Sequence, residues 1–180
     1  MTKIILVDKK DRKIGVGEKL KVHKEGKLHR AISVFIFNKK REILLQKRAK
    51  RKYHSGGLWS NTCCSHPRPG ESVFLTAKRR LKEEMGIETK LKRVFKIQYM
   101  AKVGDLIENE IDHVFVGYFD GNPKINKREA EDFKWEKIEN VLDYLKKNPQ
   151  KYTIWFQIIL PKLIKKLKLK KCLKKKKLKK

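Results

Sequence analysis

The sequence predicts an α/β sandwich on a mixed sheet, not a doubly wound parallel sheet. Short runs of β-branched and aromatic residues recur at His29–Ala49, Leu91–Ala101 and Glu108–Phe119. One partial apolar stripe of period four, Val73, Ala77, Leu81 and Met85, marks a helix. Two more helical segments close the chain, and mixed strands with two or three helices pack as a sandwich.

In chain order, Lys3–Val7 (KIILV) reads as a short strand followed by a turn at Asp8 to Asp11. His29 to Ala49 reads as two strands flanking Asn38-Lys39-Lys40-Arg41, a hairpin turn. Tyr53 to Gly70, rich in Gly, Pro, Ser, Asn and Cys, is a loop. Glu71 to Met85 is a helix, with Gly86 placed to cap its C-terminus. Leu91 to Ala101 and Glu108 to Phe119 are strands, the second broken by Gly121-Asn122-Pro123. Glu139 to Lys147 and Thr153 to Leu169 are helices, with Pro161 as a kink or restart in the last. No internal repeat is present.

The chain has 180 residues and 39% apolar content, enough for one core. No stretch approaches the roughly 18 consecutive apolar residues of a membrane span. The N-terminal apolar run is too short for a secretory signal. The three cysteines, Cys63, Cys64 and Cys172, form no CxxC, which argues against a disulfide framework and a thiolate zinc site. A cytoplasmic location is expected.

The net charge is +28. Twelve lysines and no acid fall in residues 161–180; the remainder holds 36 basic and 20 acidic residues, or +16. The expected division is therefore a domain over 1–160 and a lysine-rich tail over 161–180. Such a charge favours anionic partners: a diphosphate, a nucleic acid or an anionic membrane.

Five segments carry chemistry. Gly70–Ile87 (GESVFLTAKRRLKEEMGI) sets acidic residues near one helical turn, hard oxygen ligands suited to magnesium holding a diphosphate. The segment resembles the Nudix helix, G-x5-E-x7-R-E-U-x-E-E-x-G-U with U apolar, at Glu71, Arg79, Leu81, Glu83, Glu84, Gly86 and Ile87. Ser65 stands where the first glycine belongs, and Arg80 replaces the glutamate after Arg79. A cation in place of a ligand lowers the capacity for several magnesium ions and adds a phosphate donor. That weighs toward binding a diphosphate and against hydrolysing it.

In Trp59–Pro67 (WSNTCCSHP) the resemblance narrows to the type 1 isopentenyl-diphosphate isomerases, which carry a catalytic cysteine two residues before a metal-binding histidine; here these are Cys64 and His66. Cys63 is then a packing neighbour. In Ile107–Asp112 (IENEID), Glu108 and Glu110 leave the same face of a strand, and two such carboxylates need a cation between them or a proton on one. His23 and His29 flank a short turn. Together with His66, Glu108 and Glu110 they offer three imidazoles and two carboxylates, a shell for zinc, manganese or magnesium. The family has the same five ligands in the same order, with its two histidines one residue further apart. His54 and His113 match nothing and are expected to be structural or surface residues.

In Tyr152–Ile159 (YTIWFQII), the resemblance implies that Trp155 faces the reacting carbon, its π face stabilising a carbocation. It further implies that Tyr99 hydrogen-bonds the catalytic carboxylate, Glu110. By the same resemblance, Lys19, Arg48, Lys52 and Arg80 are expected to complete the diphosphate site, and a magnesium ion is expected between Glu84, ahead of Glu83, and the substrate diphosphate. The implied reaction interconverts isopentenyl and dimethylallyl diphosphate, with Cys64 and Glu110 handling protons on opposite faces. A Nudix hydrolase of a nucleoside diphosphate derivative is the alternative; it leaves Cys64, His66, His23, His29 and Arg80 without a role. A nucleic-acid-binding protein on a degenerate enzyme fold explains the charge but not the five ligands.

Overall fold

The computed structural model describes residues 2–167. Strand β1 (Lys3–Val7) pairs antiparallel with β2 (Lys13–Glu18), and a short helix α1 (Lys19–Lys24) leads to the central strand β3 (His29–Phe37). Then come β4 (Glu42–Arg48), β5 (Trp59–Ser60), β6 (Cys63–Ser65) and α2 (Val73–Met85). The long strands β7 (Leu91–Val103) and β8 (Leu106–Tyr118) are followed by β9 (Ala130–Lys137), α3 (Ile138–Lys147) and α4 (Ile154–Lys166). The sheet is mixed: β8 runs parallel to β3, with His29 opposite Glu110, while β6 is antiparallel to β3 and β7 to β8.

Alternation on β3 builds the sandwich. Phe35 and Phe37 face α3 and α4, with Tyr152, Phe156, Ile159 and Leu163 in the same cluster. Ile32, Val34 and Ile36 face α2, meeting Ala77, Leu81 and Met85. Each face of the sheet is thus covered by helix, and the apolar stripe of α2 is the part that is buried. That helix is capped as its sequence requires: the Ser72 side chain accepts from the Leu75 N–H, and Gly86 adopts φ 66°. A Cβ on Gly86 would also lie 2.9 Å from the Lys124 carbonyl oxygen, so two constraints select glycine there.

Five elements depart from expectation: β5 and β6 are short strands inside the stretch read as a loop, and β2, α1 and β9 stand where no element is expected. β2 is a half-exposed edge strand with two glycines, α1 has six residues, and β9 is polar; none carries a readable period. The expected hairpin at Asn38–Arg41 turns as predicted, but β3 and β4 pair only at Phe37–Ile43 before separating, β4 running on beside β9. Pro161 neither ends nor restarts α4, which is one helix to Lys166. Leu163 and Ile164 are fully buried, so the boundary expected at 160 falls inside α4, and the core extends past it. Residues 168–180, most of the lysine-rich tail, lie outside the described residues. Among the described residues no helix is long and apolar enough to cross a membrane.

Candidate active site

The site sits on the α4 side of the sheet, at the end where β3 begins. Glu108, Glu110 and Asp112 leave β8 on the face that carries Val114 and Val116 further along the strand, so the acidic stripe continues the apolar one. All three are buried. His29 opens β3 directly beside Glu110, His23 comes from the last turn of α1, and His66 follows β6. One ligand atom from each of His23, His29, His66, Glu108 and Glu110 falls within 4.8 Å of all the others.

The imidazoles are oriented by the backbone. His23 Nδ1–H donates to the Lys19 carbonyl at 2.7 Å, and His29 Nδ1–H to that of Lys27 at 2.8 Å. A carbonyl only accepts, so each ring keeps its Nε2 lone pair for the cluster. Both Nε2 atoms are buried without a hydrogen-bond partner. Nε2 of His23 is 3.3 Å from Glu108 and that of His29 3.4 Å from Glu110, while His66 Nε2 is 2.9 Å from Glu110. Orphaned lone pairs facing two buried carboxylates, with no thiolate, form a donor set that fits a divalent cation.

Adjacent positions on β6 send Cys63 and Cys64 to opposite faces. Cys63 joins the α2 core, whereas Cys64 points toward α4 and lines the cavity. Burial pushes the Cys64 thiol up to about 12, even though Arg48 opposes the shift, donating to Sγ at 3.7 Å. Cys64 is therefore a neutral thiol near neutral pH. Burial would raise Glu110, but His29 and Tyr99 outweigh it and hold the carboxyl low. Tyr99 stands opposite Glu110 in the β7–β8 register and donates its hydroxyl to Oε2. Burial and the neighbouring Glu110 drive Asp112 up; it accepts from Ser33 Oγ at 2.7 Å.

Cys64, His66, Glu108, Glu110, Trp155, Lys19, Arg48, Lys52 and Arg80 all line one cavity of ≈ 500 Å³ including its open mouth. Trp155 is pinned by its indole N–H, which donates to Ser60 Oγ at 2.9 Å, and the Arg48 guanidinium lies 5.1 Å from its ring centre. Arg80 and Lys52 are joined by Glu129, whose carboxyl, despite burial, they hold at about 2. Glu84 stands apart from the five-residue cluster. One of its oxygens pairs with Arg80 at 2.7 Å and the other accepts from Gln46 at 2.9 Å. Each oxygen keeps a second lone pair, so the carboxylate is still able to take a cation. Glu83 is on the outer face, paired with Arg79 and Arg80.

The sequence reading missed four residues here. His54, expected to be a structural or surface residue, stands at the site, half-buried, with Nε2 3.2 Å from Glu108 Oε1. Burial pushes it down to about 4. Asp112 was legible as the next step of the Glu108–Glu110 alternation, and Tyr53 adjoins His54 in the same loop. Glu129 lies in a charged stretch and carries no sequence signal. His113, expected to be a structural or surface residue, is buried with Nε2 2.9 Å from Asp11 Oδ2.

Fold and motif together define a class. A NUDIX domain model matches residues 27–156. Among solved structures, a MutT protein from Methanosarcina mazei superposes with a TM-score of 0.66 at 20% identity, covering 78% of this chain and 96% of its own. A Deinococcus radiodurans protein gives 0.69 at 15% identity, over 80% and 88%. These likenesses establish the fold. Sequence comparison narrows the class. The chain is 49% identical over 162 residues to isopentenyl-diphosphate Delta-isomerase 2 of Aromatoleum aromaticum, covering 89% of this chain and 86% of the relative. It is 50% identical over 158 residues to the isopentenyl-diphosphate Delta-isomerase of Serratia proteamaculans, covering 87% and 88%. The chain belongs to the isopentenyl-diphosphate Delta-isomerase family of Nudix proteins.

Proposed function

We infer that this chain interconverts isopentenyl diphosphate and dimethylallyl diphosphate. The observation that carries the reading is that Cys64 and Glu110 line the same cavity as Trp155 and four basic side chains. A Nudix hydrolase of a nucleoside diphosphate derivative leaves Cys64 in that cavity without a role.

No bond to phosphorus breaks in this reaction. A proton joins the terminal alkene carbon, a tertiary cation forms at the branched carbon, and a proton leaves the methylene on its other side. An unactivated alkene is a poor base, so the proton donor must be strong and water excluded. Cys64 and Glu110 are the two proton-handling groups. Tyr99 orients the Glu110 carboxyl through its hydroxyl. Trp155, fixed by Ser60, presents its π face to the developing cation, a contact worth about 0.5–2 kcal/mol when desolvated. Lys19, Arg48, Lys52 and Arg80 bind the diphosphate.

His23, His29, His66, Glu108 and Glu110 would hold one zinc, manganese or magnesium ion and Glu84 a magnesium ion, and the positive charge so supplied would tune the Glu110 carboxyl and offset the negative charge of the diphosphate. We place the reaction in the cytoplasm, and we propose that the lysine-rich C-terminal segment binds anionic surfaces, either membrane or nucleic acid. The test is incubation with isopentenyl diphosphate and magnesium. Dimethylallyl diphosphate without free phosphate is expected; release of phosphate or pyrophosphate without isomer would replace this reading with a hydrolase.

A further inference from the structure

His54 belongs to no part of the machinery described so far, yet its side chain, only 8% exposed, sits among that machinery. The residue touches three of the groups that matter, two of them through its ring. Nε2 lies 3.2 Å from Glu108 Oε1. The ring meets Trp155 edge-on, with centres 5.6 Å apart at 89°. Its backbone carbonyl accepts from Arg48 Nη2 at 3.3 Å.

The loop is shaped to put the ring there. Ser55 takes φ 52° and Gly57 φ 75°, both left-handed. At Gly56 a Cβ would sit 2.3 Å from the Lys50 carbonyl oxygen, so no side chain is admitted. Tyr53 packs edge-on against the other side of the imidazole, ring centres 4.3 Å apart. Ser55 Oγ lies 3.2 Å from His54 Nδ1, and when its hydroxyl donates there the proton of the neutral ring is on Nε2, facing Glu108.

Glu108 is therefore contacted on both oxygens by different histidines. His23 approaches Oε2 at 3.3 Å, and His54 approaches Oε1. The two rings differ in what they offer. The His23 Nδ1–H is committed to the Lys19 carbonyl, so its Nε2 brings a lone pair; with the Ser55 hydroxyl donating to its Nδ1, the neutral His54 ring brings an N–H at Nε2. Two lone pairs facing one carboxylate would be repulsive, whereas an N–H on Oε1 is attractive and fixes the rotation of the group.

We propose that His54 is a positioning residue for the metal shell: by occupying Oε1 of Glu108, it turns Oε2 toward the cation held with His23, His29, His66 and Glu110. The proposal rests on the reading of that shell as a metal site. Outer contacts of this type change metal affinity by about 10–100-fold when removed.

The test is metal affinity, measured apart from catalysis. The full chain is stripped with a chelator and titrated with Zn2+ against a chromogenic competitor at fixed pH. Wild type is compared with His54→Ala, His54→Gln and His66→Ala, folding being checked by circular dichroism. His54→Ala is expected to bind Zn2+ about 10–100-fold more weakly, as for other outer-shell partners. His54→Gln, whose amide is able to donate to Oε1, should recover most of that loss, and His66→Ala should lose the site. Wild-type affinity in His54→Ala overturns the proposal and leaves the metal site standing. Equal loss in the alanine and glutamine variants overturns it too, assigning the effect to loop packing. Failure of the wild type to bind Zn2+ overturns both the proposal and the reading beneath it.

Discussion

Tyr99→Phe isolates one hydrogen bond at the proposed proton-transfer carboxylate. The substitution keeps the ring, which is buried in the α4-side core, and deletes only the hydroxyl that donates to Glu110 Oε2. Tyr99 and Glu110 are directly opposed in the β7–β8 register, so no neighbouring donor on that pair of strands takes its place. A hydrogen bond to a charged group contributes about 1.5–3 kcal/mol. If all of it acts on the barrier, kcat falls by about 10- to 150-fold, at tenfold per 1.36 kcal/mol. Tyr99 does not line the substrate cavity, so KM should stay within about threefold of wild type, as expected for loss of an interaction that acts on the transition state. The assay follows conversion of labelled isopentenyl diphosphate to dimethylallyl diphosphate at saturating magnesium. An unchanged kcat, or a rise in KM that accounts for the whole loss in kcat/KM, would refute the reasoning.

Four further outcomes are expected. Cys64→Ala and Cys64→Ser should both nearly abolish isomerisation, whereas Cys63→Ala, on the opposite face, should keep most of it; comparable losses at both positions would remove the assignment of the thiol. Glu71 is held at about 2, first by its bond to Arg79, against an ordinary 4.5. Its stabilisation is therefore fully present above pH 4.5 and fades as pH falls toward 2. The shift corresponds to roughly 3 kcal/mol, which solvent screening of the partly exposed pair reduces to about 1–2 kcal/mol. Denaturant melts of Glu71→Gln should show that difference at pH 7 and a much smaller one at pH 3; an equal difference at both would assign it to packing. Truncation after Lys166 should keep turnover while losing salt-sensitive retention on anionic vesicles and DNA. Truncation after Leu160 should destabilise the fold by about 3–5 kcal/mol through loss of buried Leu163 and Ile164, read as a shift of the denaturant midpoint.

The sequence by itself determined those features that depend on local periodicity and on residue type at fixed spacing. The stripe of α2, the glycine that caps its C-terminus, and strands β3, β4, β7 and β8 follow from local periodicity and residue type. The Nudix spacing and the Cys64–His66 pair identified the family, and the resemblance brought Tyr99 and Trp155 with it. Charge and pattern also marked the lysine-rich end, though not where the core stops, because Leu163 and Ile164 stand among lysines that the helix turns outward.

What only the tertiary structure decided is what depends on contact between segments far apart in the chain. The parallel pairing of β3 with β8 sets His29 beside Glu110, eighty-one positions away, and β6 brings His66 to the same point. Cys63 and Cys64 differ in nothing but the face of a three-residue strand that each occupies. His54 has no spacing relation to any ligand; its loop is bent by Ser55, Gly56 and Gly57 until the ring meets Glu108. Glu129 is brought to Lys52 and Arg80 in the same way, from far along the chain. Periodicity is a property of neighbours along the chain, and a charge or an imidazole acquires its chemistry only from neighbours in space.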